Sequence, residues 1–123
     1  MTKRSIGVVG AGTMGQGIAR TFAKSGLDVV LIDRTPELTK RAVAQIEIYL
    51  DKQLEKWGIT AAEKKLILSR IHPSDHLSDL AGCGMVIEAI SEDLDLKKEL
   101  FRELDNICAN DVILASNTST LSL

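Results

Sequence analysis

Apolar residues along this 123-residue chain follow two rhythms. Short unbroken runs at 6–9, 29–32, 85–87 and 112–115 are too brief for helices and lack polar alternation, so they predict strands buried on both faces. Between them the spacing turns helical. Met14, Ile18 and Phe22 recur every four residues with Ala19 and Ala23 beside them. Ala42, Ile46, Leu50 and Leu54 form a second stripe flanked by Val43, Tyr49 and Trp57, and Leu100, Phe101, Leu104, Ile107 and Cys108 a third. Gly26 stands where the first helix needs a left-handed residue to stop, and Gly58 is expected to end the second. Thr35-Pro36-Glu37 opens that second helix with a capping hydroxyl, a first-turn proline and an acid at the positive end of the dipole. Thr60 and Glu63 have capping-box spacing and start another. Residues 70–73 read as an edge strand, because Pro73 lacks the N–H that a central strand must donate.

Strand and helix alternate throughout, which predicts an α/β fold: a Rossmann-type doubly wound parallel sheet in one domain, residues 1–123. The chain stops just after a buried-type strand, where a full dinucleotide-binding sheet carries another strand. The expectation is a sheet truncated before its last strand or strands. An unpaired apolar edge there predicts self-association, hence a homo-oligomer.

Composition sharpens this picture. Aromatic residues are 3% of the chain, so a core drawn from the 45% hydrophobic content must be aliphatic, as suits a parallel sheet covered by helices. The net charge of -2 gives no electrostatic basis for nucleic acid or an anionic membrane as partner. No apolar run reaches the length of a membrane span, and no signal-peptide pattern opens the chain. Cys83 and Cys108 have no metal-type spacing and read as buried thiols, which points to a reducing, cytoplasmic compartment.

The chemistry begins at Gly10-Ala11-Gly12-Thr13-Met14-Gly15. A GxGxxG string is common, but this one follows a strand and opens a helix. Gly10 permits the tight turn, Gly12 leaves room for a pyrophosphate against the backbone, and Gly15 lets helix and strand approach. Helix-start amides, with the dipole behind them, are anion donors. Gly17 is a further candidate for close packing. Asp33 ends the second strand 18 residues past Gly15, where an acid contacts ribose hydroxyls and repels a 2′-phosphate. NAD is therefore the expected cofactor, although the adjoining Arg34 weakens the bias against NADP.

Two further stretches narrow the reading: Glu88-Ala89-Ile90-Ser91-Glu92 followed by Leu96-Lys97, and Ala115-Ser116-Asn117-Thr118-Ser119-Thr120-Leu121. With the glycine loop they resemble the 3-hydroxyacyl-CoA dehydrogenase family across essentially the whole chain. The resemblance implies hydride transfer between C3 of an (S)-3-hydroxyacyl-CoA and NAD. It implies that Glu92 and Lys97 contact the nicotinamide-ribose side of the cofactor. Asn117 would lie beside the nicotinamide, and Ser119 would bond the reacting 3-oxygen; these two are the catalytic candidates. Acyl-CoA is the implied partner, with Lys56 placed to meet a CoA phosphate. Tyr49 stands where the family has a serine, a departure that bears on CoA contact.

The family's general base is a histidine in a GLHFFNP-like segment beyond SNTS, followed by a helical C-terminal domain. Neither occurs here, and His72 and His76 read as surface residues. The expectation is a parent enzyme whose fragment is inactive alone, since a positioned base contributes on the order of 10²–10⁴-fold. Two other readings stay open: a gulonate-type β-hydroxyacid dehydrogenase, and a non-catalytic dinucleotide-sensing module.

Overall fold

The computed structural model describes residues 5–89, 102 and 113–116. Five parallel strands form one sheet: β1 (Ser5–Val9), β2 (Asp28–Ile32), β3 (Ile71–Ser74), β4 (Met85–Glu88) and β5 (Ile113–Ser116), in the order β3-β2-β1-β4-β5. Three α-helices join the first three strands: α1 (Thr13–Lys24), α2 (Pro36–Glu55) and α3 (Ala61–Ser69). The order reverses at β1, whose two neighbours are β2 and β4. That reversal opens a crevice at the carboxyl ends of the strands, the ligand position in open α/β sheets. The expected edge strand is present, with Pro73 level with Leu31 on the outermost strand.

Alternation along each strand divides the core. Ile6, Val8, Val29 and Leu31 face Ala19 and Ala23 of α1, Ala42, Ile46 and Leu50 of α2, and Ile67 of α3. Val9, Ile32 and Val86 face the other way, toward Leu80 and the buried Cys83. Leu80 belongs to a 3-10 turn, Leu77–Leu80, that the apolar pattern does not predict. Among the described residues no helix is long and apolar enough to cross a membrane.

Three packing expectations are corrected. In α1 the innermost line is Gly15, Ala19 and Ala23, while Met14 is half exposed; small residues bring the helix axis close to the sheet and lift the larger ones to its flanks. In α2 the stripe ends at Leu50, for Leu54 is exposed and Trp57 is 94% exposed. That helix also ends differently. The amide of Gly58 bonds the carbonyl of Gln53 and that of Trp57 the carbonyl of Leu54, a Schellman closure whose left-handed residue is Trp57 at φ 63°, not Gly58. The end of α1 closes the same way around Gly26, with Leu27 bonding Phe22 and Gly26 bonding Ala23, as expected.

Candidate functional site

The glycine loop crosses from β1 to α1 at the point where strand order reverses. Gly10 has φ +112°, a conformation other residues resist, and its amide bonds the carbonyl of Ile32 at the end of β2. A Cβ on Gly15 would collide with the carbonyl oxygen of Gly10, so only glycine lets α1 start this close to the turn. A Cβ on Gly12 would meet nothing within 4 Å: it faces open space above the helix start. Gly17 meets only the far end of Arg20, at 3.7 Å, so close packing does not require a glycine there.

The three described α-helices differ at their N-termini. α2 is capped by the Thr35 hydroxyl and carries Glu37 in its first turn. α3 has a full capping box between Thr60 and Glu63. α1 begins at Gly12 with no side-chain cap and no acid in its first turn. The N–H groups that the other helices satisfy internally are thus left at the mouth of α1, with the positive end of its dipole unneutralised. Thr13 and Met14 are exposed at this mouth.

Asp33 closes the other side of the crevice. One carboxylate oxygen accepts from the Ala11 amide at 2.9 Å, and the other from the Arg34 amide at 2.7 Å. The Arg34 guanidinium is 3.9 Å away and largely solvent-exposed, a loose pairing worth little. The Ala11 amide is therefore bonded to Asp33 within the loop itself.

Two residues that sequence reasoning missed brace the loop, Gln16 of α1 and Gln45 of α2. The Gln16 amide donates to the Ala11 carbonyl at 3.0 Å and to the Gln45 side chain at 2.5 Å. No periodicity or motif marks them, since glutamine on a helix reads as solvent face. Glu88 was read only as part of a motif, yet it is fully buried at the carboxyl end of β4, level with Val9 and Ser116. An acid closing an apolar run was the available signal.

Lys56 is the exposed C-terminal cap of α2. It lies eleven residues past Gln45, about 16 Å along the helix from the glycine loop at a rise of about 1.5 Å per residue. Tyr49 lies between them, with Arg20 of α1 stacked 3.6 Å from its ring centroid. His72 and His76 are both exposed; His72 pairs with Asp28 at the start of β2, and His76 with Asp75 just past the carboxyl end of β3. Glu92, Lys97, Asn117 and Ser119 lie outside the described residues.

Strand order, loop and acid together define a dinucleotide-binding domain, and they fit a bound diphosphate: open space over Gly12, uncapped amides at α1 and a carboxylate across the crevice. Comparison with known proteins makes the class specific. Residues 5–123 match the family model described as 3-hydroxyacyl-CoA dehydrogenase, NAD binding domain, and the chain belongs to that family. It is 41% identical over 118 residues to a 3-hydroxybutyryl-CoA dehydrogenase of Clostridioides difficile, covering 96% of this chain and 42% of that one. It is 40% identical to a probable 3-hydroxybutyryl-CoA dehydrogenase of Bacillus subtilis (strain 168), covering 100% and 43%. The crystal structure of (S)-3-hydroxybutyryl-CoA dehydrogenase from Ralstonia eutropha superposes with TM-score 0.94 at 42% identity, over 97% of this chain and 42% of that one. The chain thus spans about two fifths of the length of these relatives.

Proposed function

We propose that this chain is the cofactor half of an NAD-dependent 3-hydroxyacyl-CoA dehydrogenase, and that the intact protein interconverts 3-hydroxyacyl-CoA and 3-ketoacyl-CoA. The observation that carries the reading is the uncapped mouth of α1 between Gly12 and the Asp33 carboxylate. The α1 amides and the bare backbone at Gly12 hold the diphosphate, with Gly10, Ala11, Thr13, Met14 and Gly15 shaping the turn around it. Asp33 grips the adenosine ribose and disfavours a 2′-phosphate. NAD, when bound, supplies a hydride acceptor for C3 of the substrate.

The family resemblance supports the remaining roles. Glu92 and Lys97 contact the nicotinamide ribose, Asn117 orients the nicotinamide, and Ser119 bonds the 3-oxygen. A serine hydroxyl can donate and accept, so it serves alcohol and ketone alike. Lys56, displaced along α2 from the loop, suits the phosphate of a long substrate such as acyl-CoA. A homo-oligomer is part of the same proposal.

The test is oxidation of NADH by the intact protein with acetoacetyl-CoA, followed by nicotinamide absorbance. Substrate-dependent turnover that is faster with NADH than with NADPH is expected. Faster turnover of a sugar acid such as gulonate than of any acyl-CoA would overturn the substrate assignment.

A further inference from the structure

Charge alternates across the crevice at the carboxyl ends of the strands. Asp33 stands one residue past the end of β2. The uncapped, positive end of α1 follows β1. Glu88 ends β4, on the far side of β1. Ile32, Val9 and Glu88 are level in the sheet, so at a strand spacing of about 4.8 Å the positions on β2 and β4 are about 10 Å apart.

Packing alone does not account for Glu88. Val9 and Ile32, at its level, are buried and apolar, and they meet Leu80, Cys83 and Val86 on one face of the sheet. Val86 is two residues before Glu88 on the same strand, so Glu88 shares that face. Glu88 is fully buried as well, and among the described residues no other acid is. An aliphatic side chain here would extend the core, whereas a carboxylate costs desolvation. The group is held in place, for among the described residues every buried side-chain nitrogen or oxygen has a hydrogen-bond partner. A dinucleotide with its adenosine ribose at β2 and its diphosphate at β1 leaves its second nucleoside for the strands beyond, and β4 is the next. That nucleoside carries the nicotinamide ring, which is a cation in NAD+ and neutral in NADH. Negative, positive and negative along β2, β1 and β4 thus match the oxidised cofactor.

We propose that the Glu88 carboxylate, buried beneath the crevice, favours the cationic ring of NAD+ over the neutral ring of NADH and so lowers the reduction potential of the bound couple. The inference rests on the NAD reading above. Glu88 works through its charge, which burial leaves weakly screened, rather than as an acid or base.

Calorimetric titration of the intact protein with NAD+, NADH and ADP-ribose tests it; ADP-ribose keeps the adenosine ribose and the diphosphate but has no nicotinamide. Glu88→Gln and Glu88→Met both remove the charge. The first keeps a hydrogen-bonding group and the second suits the apolar face, so either variant that folds gives the answer. Kd for NAD+ should rise about tenfold, the order expected for unit charges about 10 Å apart at an effective dielectric of about 20. Kd for NADH and for ADP-ribose should change less than about twofold. A tenfold change in the ratio corresponds to a rise of about 30 mV in the potential of the bound couple. Glu88→Asp keeps the charge and should hold the NAD+ to NADH ratio within about threefold of wild type. A ratio unchanged in Glu88→Gln or Glu88→Met, or equal weakening of all three ligands, would overturn the proposal and leave Glu88 a structural residue of the crevice. Wild-type protein that binds neither NAD+ nor NADH would remove the NAD reading itself.

Discussion

The Asp33 carboxylate and the Ala11 amide are joined by a 2.9 Å hydrogen bond across 22 positions of sequence. This bond ties the end of β2 to the turn after β1, so the acid proposed to grip the ribose also shapes the glycine loop. Its two roles separate by substitution. Asp33→Ala removes both, and should raise Kd for NADH about tenfold or more, the range for a lost hydrogen bond to a charged group. Asp33→Asn keeps an acceptor for Ala11 but not the charge. It should lose less NADH affinity than Asp33→Ala and as much of the preference over NADPH. An NADH to NADPH affinity ratio unchanged in both variants would remove Asp33 from its assigned role.

Gly12 and Gly15 predict opposite outcomes for the same substitution. Gly15→Ala drives a methyl into the backbone of Gly10, which side-chain movement cannot relieve. It should destabilise by about 1–3 kcal/mol, or roughly 4–12 °C in Tm. Gly12→Ala enters open space, so it should cost less than about 1 kcal/mol, mostly as a poorer helix cap. Yet its methyl stands where the diphosphate must approach, and NADH affinity should fall by about tenfold or more. Thermal unfolding and calorimetric titration of the pair check this; equal NADH affinity for Gly12→Ala and wild type would contradict it.

Trp57 occupies a left-handed position with its side chain almost wholly in solvent. Removing the ring should matter little, so Trp57→Ala should lie within about 0.5 kcal/mol of wild type. Trp57→Gly relieves the backbone and should be about 1 kcal/mol more stable than Trp57→Ala. Denaturant midpoints compare them, and a less stable glycine variant would show that the position is not strained.

Lys64 bridges α3 to α2, and its pKa is raised above the ordinary lysine value of 10.5. The main cause is its hydrogen bond to Asp51; desolvation opposes the rise, and the charges of Asp51 and Glu47 add to it. A pKa raised on folding contributes stability that is fully present below the ordinary lysine value and lost as pH climbs through the raised one. The stability gap between wild type and Lys64→Met should therefore be constant from neutral pH to about 9 and shrink above 10.5. Denaturant unfolding across that range measures it, and a gap that widens with alkalinity would refute the pairing.

Much of the site was legible because its parts are local. GxGxxG, the strand before it, the helix after it and an acid at the next strand end are all set by neighbouring residues. Helix starts were legible for the same reason, since Thr35 and Thr60 cap through bonds only three residues long. Helix ends were less so: nothing local distinguishes Trp57 from Gly58 as the left-handed residue. The stripe in α2 was overextended because α3 covers only part of that helix, and periodicity does not know where a neighbour stops.

The sequence by itself determined the class of fold, the place of the phosphate-binding loop and the acid opposite it, because each is written in residues adjacent along the chain. Tertiary structure decided which of these groups touch. It joined Ala11 to Asp33, braced the loop through Gln16 and Gln45, set Arg20 on Tyr49 and buried Glu88 at the crevice. Those contacts join residues that lie far apart in sequence, and they exist only because side-by-side strands and helices bring distant positions level. A period of two or 3.6 can orient a side chain toward a partner, but only the packing of elements supplies the partner.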